Sequence, residues 1–336
     1  MHGYTDYMSS IALARVKARL GKDFYGAFYQ WSFSTQSSNL RRGSGPCIIG
    51  SGTDRASSWM FNYEKPAAKL YAASTSINDN IDKTHAGTVY IEGVDKFYRK
   101  VSEFLNMSGQ AATDLTAFEY RAVNKFLVSG FAKDYSVSIG YSNEGVIDLG
   151  TGSVSGGSIL NPYATIDAGM GAAYPRQYTV HNEETVYITS VNATVSNQSV
   201  GLWSMWVAIS DTFEGEHGGN VSPVGGYHSS VENDAQTMPI RVCSVAFNGN
   251  ETNIVFNEPY EVPPKSTIYF TVDDIGIMGT LNIFAQGFKL NHKIEKLLRD
   301  KKGGRRESNE HRMSRLTRPK LNKPDFYLQK KNLNRK

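Results

Sequence analysis

The chain has 336 residues with 36 Lys and Arg against 32 Asp and Glu, so its formal net charge is only +4. The charges are segregated, because residues 291–336 carry 16 basic and 5 acidic side chains, a net charge of +11, whereas residues 1–290 carry a net charge of −7. No run approaches the ~18 apolar residues of a membrane-spanning helix, and the 39 aromatic residues exclude a chain that is disordered throughout.

Residues 8–20 (MSSIALARVKARL) predict a short amphipathic helix, with basic residues between its apolar positions. A helix this short needs a surface to pack against, either its own body or a neighbouring subunit. Its apolar positions are candidate partner-docking residues: Ile11, Leu13, Val16 and Leu20.

Residues 22–85 are rich in aromatic residues and interrupted by a Gly/Ser-rich stretch, and neither the helical nor the strand period persists in them. We therefore predict an irregular N-terminal arm over residues 1–85. The aromatic side chains, Trp31 among them, fit either a groove on a partner or the surface of the chain's own body.

From residue 86 onward the pattern changes to short runs of Val, Ile, Thr, Tyr and Phe separated by Gly, Asn, Asp and Ser. Many runs alternate apolar with polar residues, which is typical of half-buried antiparallel strands, and about 13 such strands follow one another. The sequence predicts an all-β sandwich or jelly-roll-like body over residues 86–290. It is either one domain or two lobes, 86–175 and 176–290.

An acidic segment at residues 210–236 predicts a long loop between strands. Oxygen ligands on such a loop suit calcium better than zinc, but their spacing matches no known metal-binding pattern. A solvated loop without a cofactor is the favoured interpretation, and the weak metal candidates are Asp211, Glu214, Glu216 and His217.

Other patterns that resemble catalytic motifs have simpler interpretations. The segment Asp148–Ser153 approaches the Asp-Thr-Gly triplet of aspartic proteases without its second copy, and its glycines predict a turn. Cys47 and Cys243 lack an evident base. Trp203 and Trp206 predict a core strand, with a platform for sugar stacking as the alternative. We predict no enzyme activity.

Residues 291–336 form a basic tail that begins with a predicted helical stretch, Lys293–Lys301. Its apolar residues recur at intervals, which favours docking on an acidic protein surface over contact with nucleic-acid phosphate or plain disorder. The candidate docking residues of the tail are Arg305, Arg306, Arg312, Arg315, Arg318, Phe326 and Tyr327.

The order of segments within residues 86–290 resembles a family of virion structural proteins of tailed phages, especially phages of marine bacteria. The resemblance is carried by Phe104–Gly109, by a strand at Tyr163–Asp167, by a hairpin at Tyr178–Thr189 and by the segment 257–290. It extends over most of the body but includes neither the arm 1–85 nor the tail 291–336. It implies a non-enzymatic structural role.

The leading hypothesis is therefore a virion structural protein, assembled in the host cytoplasm and placed in the head, neck or tail. Its expected partners are copies of itself and capsid, portal, neck or tail subunits, without a membrane. One alternative is a protein that binds or cleaves host glycans, since jelly-roll folds occur in lectins and capsids alike. A second is contact between the basic tail and packaged DNA.

Overall fold

The structure, a computed structural model, describes residues 14, 28–40, 47–50, 67–131, 142–196, 200–210, 237–248, 251–275 and 279–297. These residues form sixteen strands and a short helix at residues 292–297. The strands are β1 (Phe28–Leu40), β2 (Cys47–Ile48), β3 (Ala68–Lys69), β4 (Tyr71–Ser74), β5 (Ala86–Asp95), β6 (Lys100–Asn106), β7 (Glu119–Phe131), β8 (Ile147–Ser155), β9 (Ser158–Ile166), β10 (Gln177–Thr179), β11 (Glu184–Val195), β12 (Val200–Ser210), β13 (Thr237–Asn248), β14 (Glu251–Val262), β15 (Ser266–Ile275) and β16 (Gly279–Asn291). The predicted all-β antiparallel fold is confirmed.

By its internal contacts the chain divides into two compact units, Met1–His292 and Lys293–Lys336. All sixteen strands belong to the first unit. The helix at 292–297 matches the start of the predicted helical stretch, whose remaining residues lie outside the described part. Of the predicted helix 8–20 only Ala14 is described, and it is helical. None of the helical residues that the structure describes belongs to a segment able to cross a bilayer.

Two sheets face each other to form a first sandwich, which we call the AB sandwich. Sheet A has the strand order β1-β16-β11-β14, and sheet B has the order β10-β15-β12-β13, with β2 also paired to β15. All of these pairs are antiparallel. Its core includes the fully buried Trp203, Phe270 and Ile283, which come from both sheets.

Strand β1 explains why part of the predicted arm belongs to the body. Trp31, Phe33 and Thr35 are buried, whereas Ser32 and Ser34 between them are exposed, so the strand has the two-residue period of a half-buried sheet. It pairs with β16 without a register shift from Phe28 to Ser37. The prediction that residues 22–85 are irregular is therefore wrong for 28–40, and also for the strands at 68–74.

Two further sheets form a second sandwich, which we call the CD sandwich. Sheet C has the order β3-β7-β5-β6 and sheet D the order β4-β8-β9. Their shared core includes the fully buried Ile91, Phe126 and Leu149. The described residues therefore include two large, separate hydrophobic cores, one within residues 31–285 and the other within residues 70–166, beside a small cluster of Val94, Tyr98 and Ala122. Whether the two sandwiches are independent lobes stays a prediction.

The buried carboxylate of Asp79 joins three segments at one end of the CD sandwich. Its Oδ2 accepts hydrogen bonds from the Ser74 hydroxyl at 2.5 Å and the Gly145 N–H at 2.8 Å. Its Oδ1 accepts from the N–H groups of Glu144 at 2.9 Å and Ala86 at 3.2 Å. Because Asp79 is 0% exposed, these donors replace its whole hydration shell. Asp79, which lies between β4 and β5, thus connects the end of β4 and the start of β5 to the segment before β8.

The two sandwiches are joined by a small set of buried polar contacts. The side-chain amide of Asn124 in β7 donates to the Thr179 carbonyl and accepts from the Thr179 N–H, both at 2.8 Å. The Asn182 N–H donates to the carbonyl of Tyr98 in the β5–β6 turn at 2.8 Å. An amide side chain that satisfies both backbone groups of one residue acts like a strand partner, and it fixes β10 against β7.

We predict that Asp79→Asn lowers the free energy of unfolding by about 3 kcal/mol, because either orientation of the new amide places an NH₂ group against two N–H or O–H donors. Denaturant unfolding followed by circular dichroism measures the change. The exposed Asp82 supplies the matched control, Asp82→Asn, which is expected to change stability by less than about 0.5 kcal/mol. Equal effects of the two substitutions would contradict the structural role of Asp79.

Candidate functional site

Most of the predicted partner-docking residues lie outside the described residues. This holds for Ile11, Leu13, Val16 and Leu20 in the N-terminal segment and for the seven residues of the tail from Arg305 to Tyr327. Trp31 is described, and its predicted docking role is wrong. Its side chain is 4% exposed and lies edge-on against Tyr178, with ring centroids 5.3 Å apart, so it is part of the AB core.

The predicted metal candidates Asp211, Glu214, Glu216 and His217 also lie outside the described residues. Among the residues that are described, no group of three or more His, Cys, Asp or Glu side chains is arranged to hold a metal ion. The metal hypothesis for the 210–236 loop therefore stays a prediction.

The two tryptophans of β12 have different environments. Trp203 is 0% exposed and lies in the AB core, 6.1 Å from the Phe270 ring, as its strand pattern predicts. Trp206 is half-buried, its ring is parallel to that of Tyr269, and its Nε1–H donates to the Thr271 hydroxyl at 3.0 Å. The guanidinium of Arg241 lies 4.5 Å from its ring centroid. Trp203 is thus not a platform for sugar stacking, and Trp206 is already engaged by protein groups.

The segment that resembles the aspartic-protease triplet has a structural task. Asp148 is buried and accepts hydrogen bonds from the Thr165 hydroxyl at 2.8 Å and the Ile159 N–H at 3.2 Å, which ties β8 to β9. The glycines of this segment lie inside β8, not in a turn as predicted. The β8–β9 turn instead contains Gly156 and Gly157, both with positive φ, a conformation that glycine adopts without steric cost.

The strands β13 and β14 form one open side of the AB sandwich, and we call it the acidic side. Among the described residues, β13 ends sheet B and β14 ends sheet A. Half-buried apolar side chains from both strands pack against the core there: Val242, Cys243, Val245, Ile254, Phe256 and Tyr260. Further out, Ile240 and Val255 are 45% and 48% exposed. Apolar contact area therefore remains accessible along both strands.

The charge of the acidic side comes from β14. This strand carries Glu251, Glu258 and Glu261, all exposed, and its twelve residues include no Lys or Arg. Four residues of β14, 256–259, lie opposite a single residue of β11 at a register shift, so Glu258 projects from an irregular part of the strand. An exposed surface that combines carboxylates with apolar side chains suits a basic segment that also carries apolar residues.

The ionisable groups beneath the acidic side are neutral at physiological pH. Burial raises the pKa of the Cys243 thiol, and a backbone hydrogen bond from Met205 offsets this only in part. Burial also raises the pKa of Tyr260. A half-buried cysteine with a raised pKa is a packing residue and not a reactive thiolate, in agreement with the interpretation from sequence.

A second electrostatic feature lies at the start of β11, in the interior of sheet A. The carboxylate of Glu184 is 2.8 Å from Nε2 of His181 and 3.2 Å from Nζ of Lys289, and its side chain is 5% exposed. Burial by itself would raise the pKa of Glu184, but the hydrogen bond and charge of His181 together with the Lys289 ammonium hold that pKa below its usual value. Glu184 is therefore an ionised, buried group that links β11 to β16.

Sequence reasoning did not identify β14 as a candidate site. Its one readable signal is three glutamates without a basic residue over 251–262. The position of β14 at the end of a sheet has no such signal, because strand order is set by pairings between residues far apart in the chain.

No family model matches the chain, and no curated protein matches it. Among solved structures, the chain is similar to one of infectious bursal disease virus, Gx strain, with 10% identity and a TM-score of 0.20 over 78% of this chain and 76% of that chain. A structure of the Gt strain gives 9% identity and a TM-score of 0.12, with 79% and 82% covered. A mutant VP2 protein of the same virus gives 10% identity and a TM-score of 0.11, with 79% of this chain and 78% of that chain covered. TM-scores this low do not establish a shared fold.

We predict that Glu184→Gln lowers the free energy of unfolding by about 2 kcal/mol at neutral pH, because it removes the carboxylate charge that pairs with the Lys289 ammonium in a buried setting. The folded-state pKa of Glu184 lies below its unfolded value of about 4.3, so this stability is present above that pH and is lost as pH falls through the folded pKa. Unfolding measured against pH should show the two chains converging in acid; a difference that stays constant down to acid pH would contradict the assignment.

Proposed function

We propose that the chain is a non-enzymatic structural subunit of a virion, and that its copies dock on one another or on neighbouring virion proteins through the terminal segments. The observation that carries this proposal is charge and apolar complementarity within one chain. The acidic side presents exposed glutamates beside accessible apolar residues, and residues 291–336 combine a net charge of +11 with apolar residues at intervals.

Both charge and apolar contact favour binding of a basic segment to the acidic side. Opposite charges speed the encounter and fix its orientation, while burial of apolar side chains supplies most of the affinity. In a tail that only binds phosphate, the apolar side chains of Leu316, Leu321, Phe326 and Tyr327 would add little to the affinity, because such binding depends on charge. A tail that docks on a surface such as Val255 and Phe256 gains from each of them.

Two further observations support a structural role. Residues with catalytic-looking sequence patterns have packing or hydrogen-bonding tasks in the described body, as Asp148 and Cys243 illustrate. The resemblance of residues 86–290 to virion structural proteins of tailed phages supports the finer assignment to such a virion, in its head, neck or tail. The glycan-binding alternative loses one of its two aromatic candidates, because Trp203 is wholly buried whereas Trp206 is half-buried.

We predict that the double substitution Glu251→Lys with Glu258→Lys weakens association of the full-length chain by about tenfold at low salt, because two attractive contacts become repulsive. Sedimentation velocity over a concentration series measures the association. The wild-type association is expected to weaken as salt is raised, since the contributing charges are exposed.

The matched control is Asp82→Lys with Asp114→Lys, which changes the net charge equally at exposed positions of the CD sandwich and should leave association unchanged. Reversing tail charges with Lys330→Glu and Lys331→Glu should restore association when that chain is mixed with the Glu251→Lys, Glu258→Lys chain. Identical behaviour of the control and the β14 variant would contradict the proposal. Salt-dependent DNA binding by the tail in that case would favour the nucleic-acid alternative.

A further inference from the structure

Each sheet formed by the described residues is open, so each ends in strands whose outer N–H and C=O groups have no partner among the other described strands of that sheet. Proteins usually protect such edges by keeping them short, by placing charges on them or by interrupting them with proline or a bulge. The described edge strands of this chain differ in these protective features.

All but one of these edges carry a protective feature. The strands β2, β3, β4 and β10 have between two and four residues. β6 carries Lys100 and Glu103, and β9 contains Pro162 beside a register shift. β13 contains Pro239 and Arg241, and β14 contains Pro259 and three glutamates.

The exception is β1. Its thirteen residues, FYQWSFSTQSSNL, include no charged residue and no proline, and its pairing with β16 is regular from Phe28 to Ser37. Among the described strands, β16 is its one partner in sheet A. A long, regular and uncharged edge is the kind of strand that pairs with another chain.

The hydrogen bonds of β16 show which residues of β1 face the open edge. On the β11 side, the Thr280 N–H donates to the Ser196 hydroxyl, the Gln286 carbonyl accepts from the Thr189 hydroxyl, and the His292 N–H donates to the Glu183 carbonyl. The even-numbered residues of β16 therefore direct their backbone groups toward β11. Since successive residues of a strand alternate, the odd-numbered ones direct theirs toward β1.

The register of the β1–β16 pair transfers this alternation to β1. Odd-numbered residues of β1 lie opposite odd-numbered residues of β16, as Phe33 lies opposite Ala285, and even-numbered residues lie opposite even-numbered ones. Trp31, Phe33 and Thr35 therefore bond to β16. The backbone N–H and C=O groups of Gln30, Ser32, Ser34 and Gln36 point to the open edge, and the side chains of the first three of these are exposed.

We propose that β1 pairs edge to edge and antiparallel with β1 of a second copy of this chain, which joins the two A sheets into one sheet of eight strands. Hydrogen-bonded pairs then join even-numbered residues, for example Ser32 of one copy with Ser34 of the other. Antiparallel pairing of two identical strands is two-fold symmetric, so the contact closes on itself as a dimer.

The absence of charged residues from β1 favours β1 of a second copy as its partner. In a symmetric pair each side chain faces one from the same strand, so any charge near the centre meets a like charge, and β1 has none. The basic tail is a poorer occupant, since β1 offers it no carboxylate. Outward-facing Gln30, Ser32, Ser34 and Gln36 instead provide hydroxyl and amide groups that hydrogen-bond to one another across the pair.

The pairing goes beyond the charge-based docking proposed for the acidic side and does not depend on it. Contacts between exposed charges weaken with salt, whereas backbone hydrogen bonds between uncharged strands do not. A dimer that persists at high salt and is unaffected by Glu251→Lys and Glu258→Lys is therefore the β1 pair, and a salt-sensitive association is the other contact.

The test compares Ser34→Pro with Ser34→Ala in the full-length chain. Proline removes the N–H that points to the open edge, and an edge strand tolerates it there because no bond to β16 is lost. Two hydrogen bonds disappear from the symmetric pair, one from each copy, so the dimer dissociation constant measured by sedimentation at high salt should rise about tenfold or more. Ser34→Ala keeps the N–H and should dimerise as the wild type does. Equal dissociation constants for the two variants would overturn the proposal.

Hydrogen exchange of the unmodified chain, resolved to single amides, gives a result that does not depend on how well the proline variant folds. The amides of Trp31, Phe33 and Thr35 should be protected at every protein concentration, because they bond to β16. Those of Gln30, Ser32, Ser34 and Gln36 should be protected at high concentration and lose protection on dilution. If these amides are protected to the same degree at every concentration, a segment of the same chain covers the edge. If they are unprotected at every concentration, no chain pairs with the edge. Either result refutes the proposed pairing.

Discussion

The body depends on one constraint, which is that a strand can be buried only if its backbone N–H and C=O groups are paired. Each sheet formed by the described residues ends after three to five strands. Sheets A and B bury a common core from both sides, and so do sheets C and D. As far as the described residues extend, the strands that end each sheet still carry outer backbone donors and acceptors without a partner in that sheet. The edge strands differ in their length, their charge, their proline content and the regularity of their pairing. These features decide whether an edge opposes or allows pairing with another chain.

Sequence patterns predicted the fold well where strands follow one another with clear turns. From residue 86 onward the alternation of apolar and polar residues indicated about 13 strands, and the described residues contain twelve, β5 to β16. β1 was missed because aromatic residues just before it, Phe24 and Tyr25, obscure the alternation of Trp31 and Phe33 with serines. The same oversight assigned Trp31 to partner docking, although it completes the core opposite Tyr178.

The positions of other features in the fold had no sequence signal. Asp79 looks like an ordinary loop residue, and its importance arises only because folding brings Glu144 and Gly145 to it from 65 and 66 residues away. The acidic side is similar, since β14 becomes an edge only through its pairing with β11. Trp203 was correctly predicted as a core residue because its strand is mostly apolar, and burial of such a strand can be predicted without knowing its neighbours.

The acidic side and the β1 edge meet different physical requirements of an assembly. Exposed charges act at long range, so they raise the rate at which subunits meet, but each is worth little once contact is made. Backbone pairing acts only at contact and demands a defined register, so it sets geometry and lifetime. β14 has the charges but also a proline and an irregular register that oppose strand addition, whereas β1 has a regular edge and no charge. Because the two edges lie at opposite ends of sheet A, one copy can use both at once, and a subunit that does so has two distinct neighbours.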